Sequence, residues 1–356
     1  MHTKLMHRAT GIGSLPHQSV DEGINLIKEN LQYIPHWPQL PRRNPREGIV
    51  RQYLAPLVQA GLVTSEEEDD GKPYFRTDAP DWDERVLNYY ETLVEVEENN
   101  FTESNVGEMF AFPADTAEGF YAFLQENWEA SEVEVIKGQV SGPLVIGLQV
   151  TDPAGSAAFY NDQLREILVK TLTYQSCWQL QKLAAFQKPV LIFIDDPAIY
   201  GYGTSTYVGL SREFIQQSVQ EMVTGIKNAG GVSGVHCCAG VDWSLLFDLP
   251  LDVVNFDAYG YFSSMLVYTD QLKDFLQRGG ILSWGIVPTS QEIEEENAES
   301  LMAKLREGID TLVSHGVERR LLEEQLMVTP SCGAGTLTEA QAEKVYRLLR
   351  EVEQNL

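Results

Sequence analysis

The feature that most constrains this chain is a recurrence. Short, nearly unbroken apolar runs rich in β-branched residues each lead through a glycine- or proline-marked motif toward an amphipathic helical pattern. The runs are TGIGSL (10–15), EVIKGQVSG (134–142), VLIFIDD (190–196), GVSGVHCC (231–238), DVVNFDA (252–258), ILSWGIV (281–287) and LMVTPSC (326–332). A strand that is apolar at successive positions, instead of alternate ones, is buried on both faces, as in a parallel sheet covered by helices. Helix starts are marked by Ser19–Glu22, Thr289–Glu292 and Thr338–Gln341, each with the spacing of a capping box. Residues 156–185 and 338–354 carry apolar side chains three and four apart, the helical period.

About eight strands alternating with helices predict an α/β fold of the single (β/α)8 TIM-barrel type. Residues 1–356 then form one barrel domain, with no internal repeat and no Ser/Gly linker. An eighth strand is required between residues 31 and 112, and Val106–Phe112 is the favoured place for it. Residues 38–104, rich in charge and aromatics, become an insertion on the barrel. A doubly wound sheet is the competing architecture. Against it, no Gly-rich dinucleotide fingerprint is present, and Pro16 spoils GIGSLPH as a phosphate cradle.

Composition narrows the function classes. Twenty-six basic against 52 acidic residues leave a net charge of -26, a field that repels phosphate backbones and anionic membranes. Nucleic acid and membrane are therefore not expected partners. The acidic runs Glu66–Asp70 and Glu292–Glu296 read as solvated surface, with a docking face for a basic partner as the alternative. The N-terminus has no apolar signal-peptide core and no stretch approaches the ~20 apolar residues of a membrane span, so a cytoplasmic protein is expected. Four cysteines in 356 residues make no disulfide framework.

Barrel chemistry collects at the C-terminal ends of strands, and the reactive residues of this chain fall there. On a strand, His236 and Cys238 face one way and Cys237 the other. An imidazole and a thiolate on one side make a pair of zinc ligands, although plain core packing is the favoured reading of the pair taken alone. Cys332, after the last strand and before Gly333 and Gly335, reaches the same rim of a closed barrel. His236, Cys238 and Cys332 around one zinc leave a fourth tetrahedral position open, the pattern of a catalytic metal. Asp257 is a further candidate oxygen ligand, with a satisfied rim carboxylate as its other reading. A vicinal Cys237–Cys238 disulfide would need a strained ring, and Cys177 in a helical pattern reads as core. Backbone groups at Ile12 and Gly13, the Ser14 hydroxyl, and Asp195 or Asp196 also point to this rim. One of those carboxylates suits a substrate ammonium, or else simply caps the strand end.

Taken in order, Ile12-Gly13-Ser14, Ser141-Gly142-Pro143, Ile194-Asp195-Asp196-Pro197, His236-x-Cys238 and Cys332-Gly333 resemble the C-terminal catalytic barrel of cobalamin-independent methionine synthase. That barrel belongs to a superfamily shared with uroporphyrinogen decarboxylase and zinc-dependent corrinoid methyltransferases. The resemblance runs nearly end to end along the chain. It implies zinc held by His236, Cys238 and Cys332, with Asp257 near the acidic ligand of the family. It also implies that Ile12, Gly13, Ser14 and Asp195 hold the amino-acid part of homocysteine, which accepts a methyl group on sulfur. Two departures bear on the donor. The chain has no room for the second barrel that helps bind folate, and SWGIVPTS offers Trp284, Pro288 and Ser290 where the synthase has a proton-donating histidine. A methylated corrinoid on a partner protein, whose cobalt leaves without a proton, is the donor these departures favour.

Two other functions compete. A decarboxylase of the uroporphyrinogen type needs cations for several carboxylates, and Arg42, Arg43 and Arg46 are the one local cluster. A non-catalytic metal- or corrinoid-binding accessory protein would use Tyr200, Tyr202, Tyr207, Tyr259, Tyr261 and Trp284 to cover a flat cofactor, unless these are wall packing.

Overall fold

The computed structural model describes residues 2–65, 71–98, 105–128 and 132–356. The acidic run at 66–70 lies outside the described residues. The strands are β1 (Arg8–Ala9), β2 (Ile136–Ser141), β3 (Val190–Asp195), β4 (Val232–Cys237), β5 (Val253–Phe256), β6 (Ile281–Val287) and β7 (Leu326–Pro330). They form a curled, all-parallel sheet in the order β1-β7-β6-β5-β4-β3-β2. Parallel neighbours need crossover connections, and helices supply them. Asp162–Leu183 lies between β2 and β3, Arg212–Asn228 between β3 and β4, Thr269–Gln277 between β5 and β6, and Ala298–Ser314 between β6 and β7.

Alternation along the strands separates two cores. Ile192, Ile194, Val235, Cys237, Val254, Phe256, Leu282, Trp284 and Val328 join the large cluster beneath the helices. The opposite parity supplies a small second cluster containing Leu191, Phe193, Val232, Val253, Ile281 and Met327. Further along the same parity the residues turn polar. Ser141 pairs in register with Asp195, Asp195 with His236, His236 with Asn255, and Asn255 with Ser283. β3, β4, β5 and β7 are thus apolar at their inner starts and polar at their inner ends, which concentrates polar side chains at one end of the sheet.

Seven strands are found among the described residues, one fewer than expected, and the favoured place for the eighth is wrong. Asn105–Glu108 is a short helix followed by a turn. The β2 edge and the loop that follows β1 are instead linked by residues 33–39. On one side the amides of Glu134 and Lys137 donate to the carbonyls of Tyr33 and Pro35, each at 2.9 Å. On the other, Leu15 N–H donates to Gln39 O at 2.9 Å and Gln39 N–H to Gly13 O at 3.0 Å. Pro35 and Pro38 have no N–H to give, so a regular ladder cannot form and only isolated parallel bridges remain, His36 to Lys137 and Ser14 to Gln39. The first apolar run is also displaced. Its strand is Arg8–Ala9, and residues 10–15 leave the sheet after the Thr10 amide bonds to Val328 O.

Two of the three expected helix caps are present. Ser19 accepts from Glu22 N–H, and Thr338 and Gln341 form a reciprocal capping box. Thr289–Glu292 does not cap. The Thr289 hydroxyl pairs with Ser331 Oγ at 3.0 Å, and the short 3-10 turn that follows starts from Ser290 without a side-chain cap. Glu292, Glu294 and Glu295 are exposed, as a solvated acidic face requires. No helix among the described residues is long and apolar enough to cross a membrane.

Candidate metal centre

His236 is the penultimate residue of β4, Cys238 the first residue past its end, and Cys332 lies two residues beyond β7. Their ligand atoms, one nitrogen and two sulfurs, all lie within 4.8 Å of one another. The alternation predicted for the HCC run holds: Cys237 is fully buried in the helix-side core, while Cys238 turns to the inner side. All four cysteines are free thiols. Cys177 is a buried helical residue whose thiol is pushed up to about 12 by burial.

The donor set fits a metal. His236 is 2% exposed, and its Nε2 is buried without a hydrogen-bond partner beside the Cys238 thiol. The other ring nitrogen, Nδ1, lies 2.5 Å from Asn255 Oδ1. The hydrogen bond from Cys332 holds the Cys238 thiol well below its usual range, against burial and with help from His236. The same bond, reinforced by burial, drives the Cys332 thiol up. Burial opposes charge on the His236 ring, but Cys238 and then Asp195 outweigh it and raise its pKa. Three adjacent donors of this kind, with an orphaned nitrogen among them, suit a cation with an affinity for sulfur and imidazole.

The cluster forms part of the wall of a cavity of about 740 Å³. Ile12, Ser14 and Asp195 line the same cavity. Gly13 stands just behind: a Cβ there would come within 2.8 Å of the Gln139 side chain and 2.9 Å of Gln39 Oε1. Gly335 N–H donates to Ser14 Oγ at 3.3 Å, which ties the first-strand loop to the segment carrying Cys332. The adjacent aspartates have separate tasks. Asp196 accepts from the amides of Leu144 at 2.8 Å, Val145 at 2.9 Å and Ala198 at 3.3 Å, all backbone support. Asp195 faces the cavity with its Oδ1 unpartnered, and burial raises it to about 6 although Lys137 and His236 pull the other way.

Asp257 is placed outside the three-residue cluster. Its Oδ1 accepts from Gly260 N–H at 2.6 Å, and burial raises it to about 6. None of the six rim aromatics lines the cavity. Trp284 is wall packing, 5.3 Å from Phe256 and 6.0 Å from Phe262 between ring centroids. Of the arginine cluster, Arg42 lines the cavity and donates to Thr336 O at 2.6 Å, while Arg43 pairs with Glu118 and Arg46 with Asp115.

Sequence reasoning missed Gln39, Glu47 and Tyr53, all cavity-lining. Glu47 is 1% exposed, and its Oε2 accepts from Leu40 N–H at 2.7 Å while Oε1 has no hydrogen bond. Burial raises this carboxyl to about 7. The available signal was a lone acid inside the proline- and arginine-rich stretch PQLPRRNPRE, which gives no hint of burial. Lys137 was missed too. Its buried Nζ donates to Ile12 O at 2.6 Å and to Gln139 Oε1 at 3.2 Å, which supports the loop that carries Gly13 and Ser14.

Comparison with known proteins bears on the fold. No protein-family model and no curated protein matches this chain. Among solved structures, a B12-independent methionine synthase from Shewanella sp. W3-18-1, in complex with selenomethionine, superposes with a TM-score of 0.55 at 11% identity. The match covers 98% of this chain and 97% of that one. A pneumococcal exo-β-D-N-acetylglucosaminidase gives a TM-score of 0.47 at 8% identity, covering 99% of this chain and 84% of that one. At these identities the likeness is one of fold: this chain has the TIM-like α/β architecture of the synthase.

Proposed function

We propose that this protein is a zinc-dependent methyltransferase that moves a methyl group onto the sulfur of a small thiol, with homocysteine as the acceptor and a methylated corrinoid on a partner protein as the donor. The observation that carries the reading is the convergence of His236, Cys238 and Cys332 on one wall of a cavity that also presents Asp195 and Glu47. The end-to-end fold likeness to a B12-independent methionine synthase supports it. Residues 33–39 take the eighth place of the barrel in this reading, and the insertion at 38–104 walls the cavity through Gln39, Glu47, Ile49 and Tyr53.

His236 Nε2, Cys238 Sγ and Cys332 Sγ would hold the zinc at the wall of the cavity. Zinc held there would supply the Lewis acidity that favours the thiolate form of a small thiol at neutral pH. The protein's own groups orient the acceptor. Asp195 and Glu47 are the carboxylates available to an α-ammonium, whose charge would draw both into the ionised form. Ser14 and the backbone at Ile12 and Gly13 face the remaining polar end. The transfer itself forms a sulfur–carbon bond as the methyl carbon's bond to its carrier breaks, and the electron pair leaves with the carrier. The thiol proton has already gone to solvent. Corrinoid cobalt leaves unprotonated, which accords with Trp284, Pro288 and Ser290 at and beyond β6. The chain's contribution is therefore mainly alignment.

Incubation with homocysteine and methylcobalamin, followed by mass detection of methionine, tests this activity. Turnover that falls about 10³-fold in Cys332→Ala is the expected result. Zinc-loaded protein that methylates none of a panel of small thiols would instead support the accessory-protein reading. The decarboxylase reading has little cationic support, because Arg43 and Arg46 are already paired with acids.

A further inference from the structure

We infer that Asn255 is a positioning residue for the metal centre. It fixes the proton of the His236 ring on Nδ1, commits Nε2 to the metal, and ties the strand of His236 to the strand that leads into Cys332. The inference rests on the metal reading above and goes beyond it, because Asn255 is neither a ligand nor part of the cavity wall.

Asn255 is fully buried on β5, and its register partners are His236 on β4 and Ser283 on β6. One end of its amide lies 3.1 Å from the backbone carbonyl of Ser283. A carbonyl only accepts, so the atom facing it is the NH2 group. The same nitrogen also reaches Ser283 Oγ at 2.9 Å and Thr329 Oγ1 at 2.7 Å. That leaves Oδ1 facing His236 Nδ1 at 2.5 Å. An amide oxygen also only accepts, so Nδ1 must carry the hydrogen that joins them. With one proton on the ring, Nε2 keeps its lone pair, and Nε2 is the buried nitrogen without a hydrogen-bond partner in the His236–Cys238–Cys332 cluster.

The second consequence is geometric. Thr329 lies three residues before Cys332 on β7, and the Asn255 amide spans from it to His236. One side chain thus links four adjacent strands and sets the ligands from β4 and β7 against each other. Outer partners of metal-bound histidines typically change metal affinity by about 10–100-fold when removed. Nothing in the sequence marks Asn255, which reads as a polar residue in an apolar strand.

The test compares Zn2+ affinity, by competition with a chromophoric chelator, in wild type, Asn255→Leu and Asn255→Asp, with circular dichroism of each metal-free protein as the check on folding. The expected result is a 10–100-fold loss in Asn255→Leu and near wild-type affinity in Asn255→Asp, which keeps an acceptor toward Nδ1. Unchanged affinity in Asn255→Leu, or equal loss in both variants, would overturn the inference. Nitrogen-15 NMR of the His236 ring, assigned with His236→Gln, supplies a readout that needs no variant at position 255. A hydrogen on Nδ1 and metal on Nε2 in zinc-loaded protein supports the role, and metal on Nδ1 refutes it. If wild type binds no zinc, the metal reading fails by itself. The singly protonated ring of the metal-free protein at alkaline pH then decides for Asn255 if the hydrogen is on Nδ1, and against it if on Nε2.

Discussion

At positions 236 to 238 one strand sends alternate side chains to opposite sides of the sheet, and that parity is what divides ligand from core. His236 and Cys238 reach the inner side while Cys237 packs beneath the helices. This much is legible in the sequence because side-chain alternation follows from strand geometry alone. Cys332 is legible as well, since it stands directly after an apolar run that can only be a strand. Glu47 is not, because its burial depends on how an irregular loop folds back over the cavity. That burial has a consequence for pH. The folded pKa of about 7 stands above the ordinary 4.5 of a glutamate. Between these values the folded chain holds a proton that the unfolded chain has released, so stability falls as pH rises through the window and levels off above it. Urea unfolding of metal-free protein from pH 5 to 8 should show a shallower decline in Glu47→Gln than in wild type. Parallel profiles would mean that Glu47 does not titrate in this way.

At the scale of elements, the aspartate pair after β3 shows how a turn separates structure from chemistry. Asp196 holds the amides of Leu144 and Val145 at the start of the short helix Pro143–Gly147, and Asp195 makes no such bond. A Cβ on Gly142 would come within 2.3 Å of the Asp196 side chain, so this turn is built around that carboxyl. Asp196→Ala leaves these amides without their acceptor and should destabilise the protein by about 1–3 kcal/mol. Asp195→Asn should leave the unfolding midpoint nearly unchanged or raise it, and should weaken binding of an amino thiol. Thermal unfolding of the two variants side by side checks this, and equal losses would contradict the division. The motif Ile194-Asp195-Asp196-Pro197 marks the position of the pair but not which member caps. The linking segment at residues 33–39 is hidden for a related reason: Pro35 and Pro38 erase the strand signature while the remaining amides and carbonyls still bond to the β2 edge and to the loop after β1.

For the whole molecule, the strand–helix alternation was enough to indicate an α/β fold with a parallel sheet, because fully buried strands leave a distinctive apolar run. It was not enough to place the last edge of the sheet or the loops that wall the cavity, which depend on contacts far apart in sequence. Arg8 on β1 and Glu134 ahead of β2 pair at 2.7 Å across 126 residues, and Ser14 meets Gly335 across 321. The interior polarity gradient of β3, β4, β5 and β7, apolar at the starts and polar at the ends, brings His236, Cys238, Cys332, Asp195 and Asn255 to one end. Each of these roles depends on a metal being bound there. Elemental analysis of protein purified without chelator tests this most directly. It should give about one zinc per chain in wild type and in Cys177→Ala, with loss of the metal in Cys238→Ala and in Cys332→Ala. Metal-free wild-type protein that transfers methyl groups at full rate would contradict it.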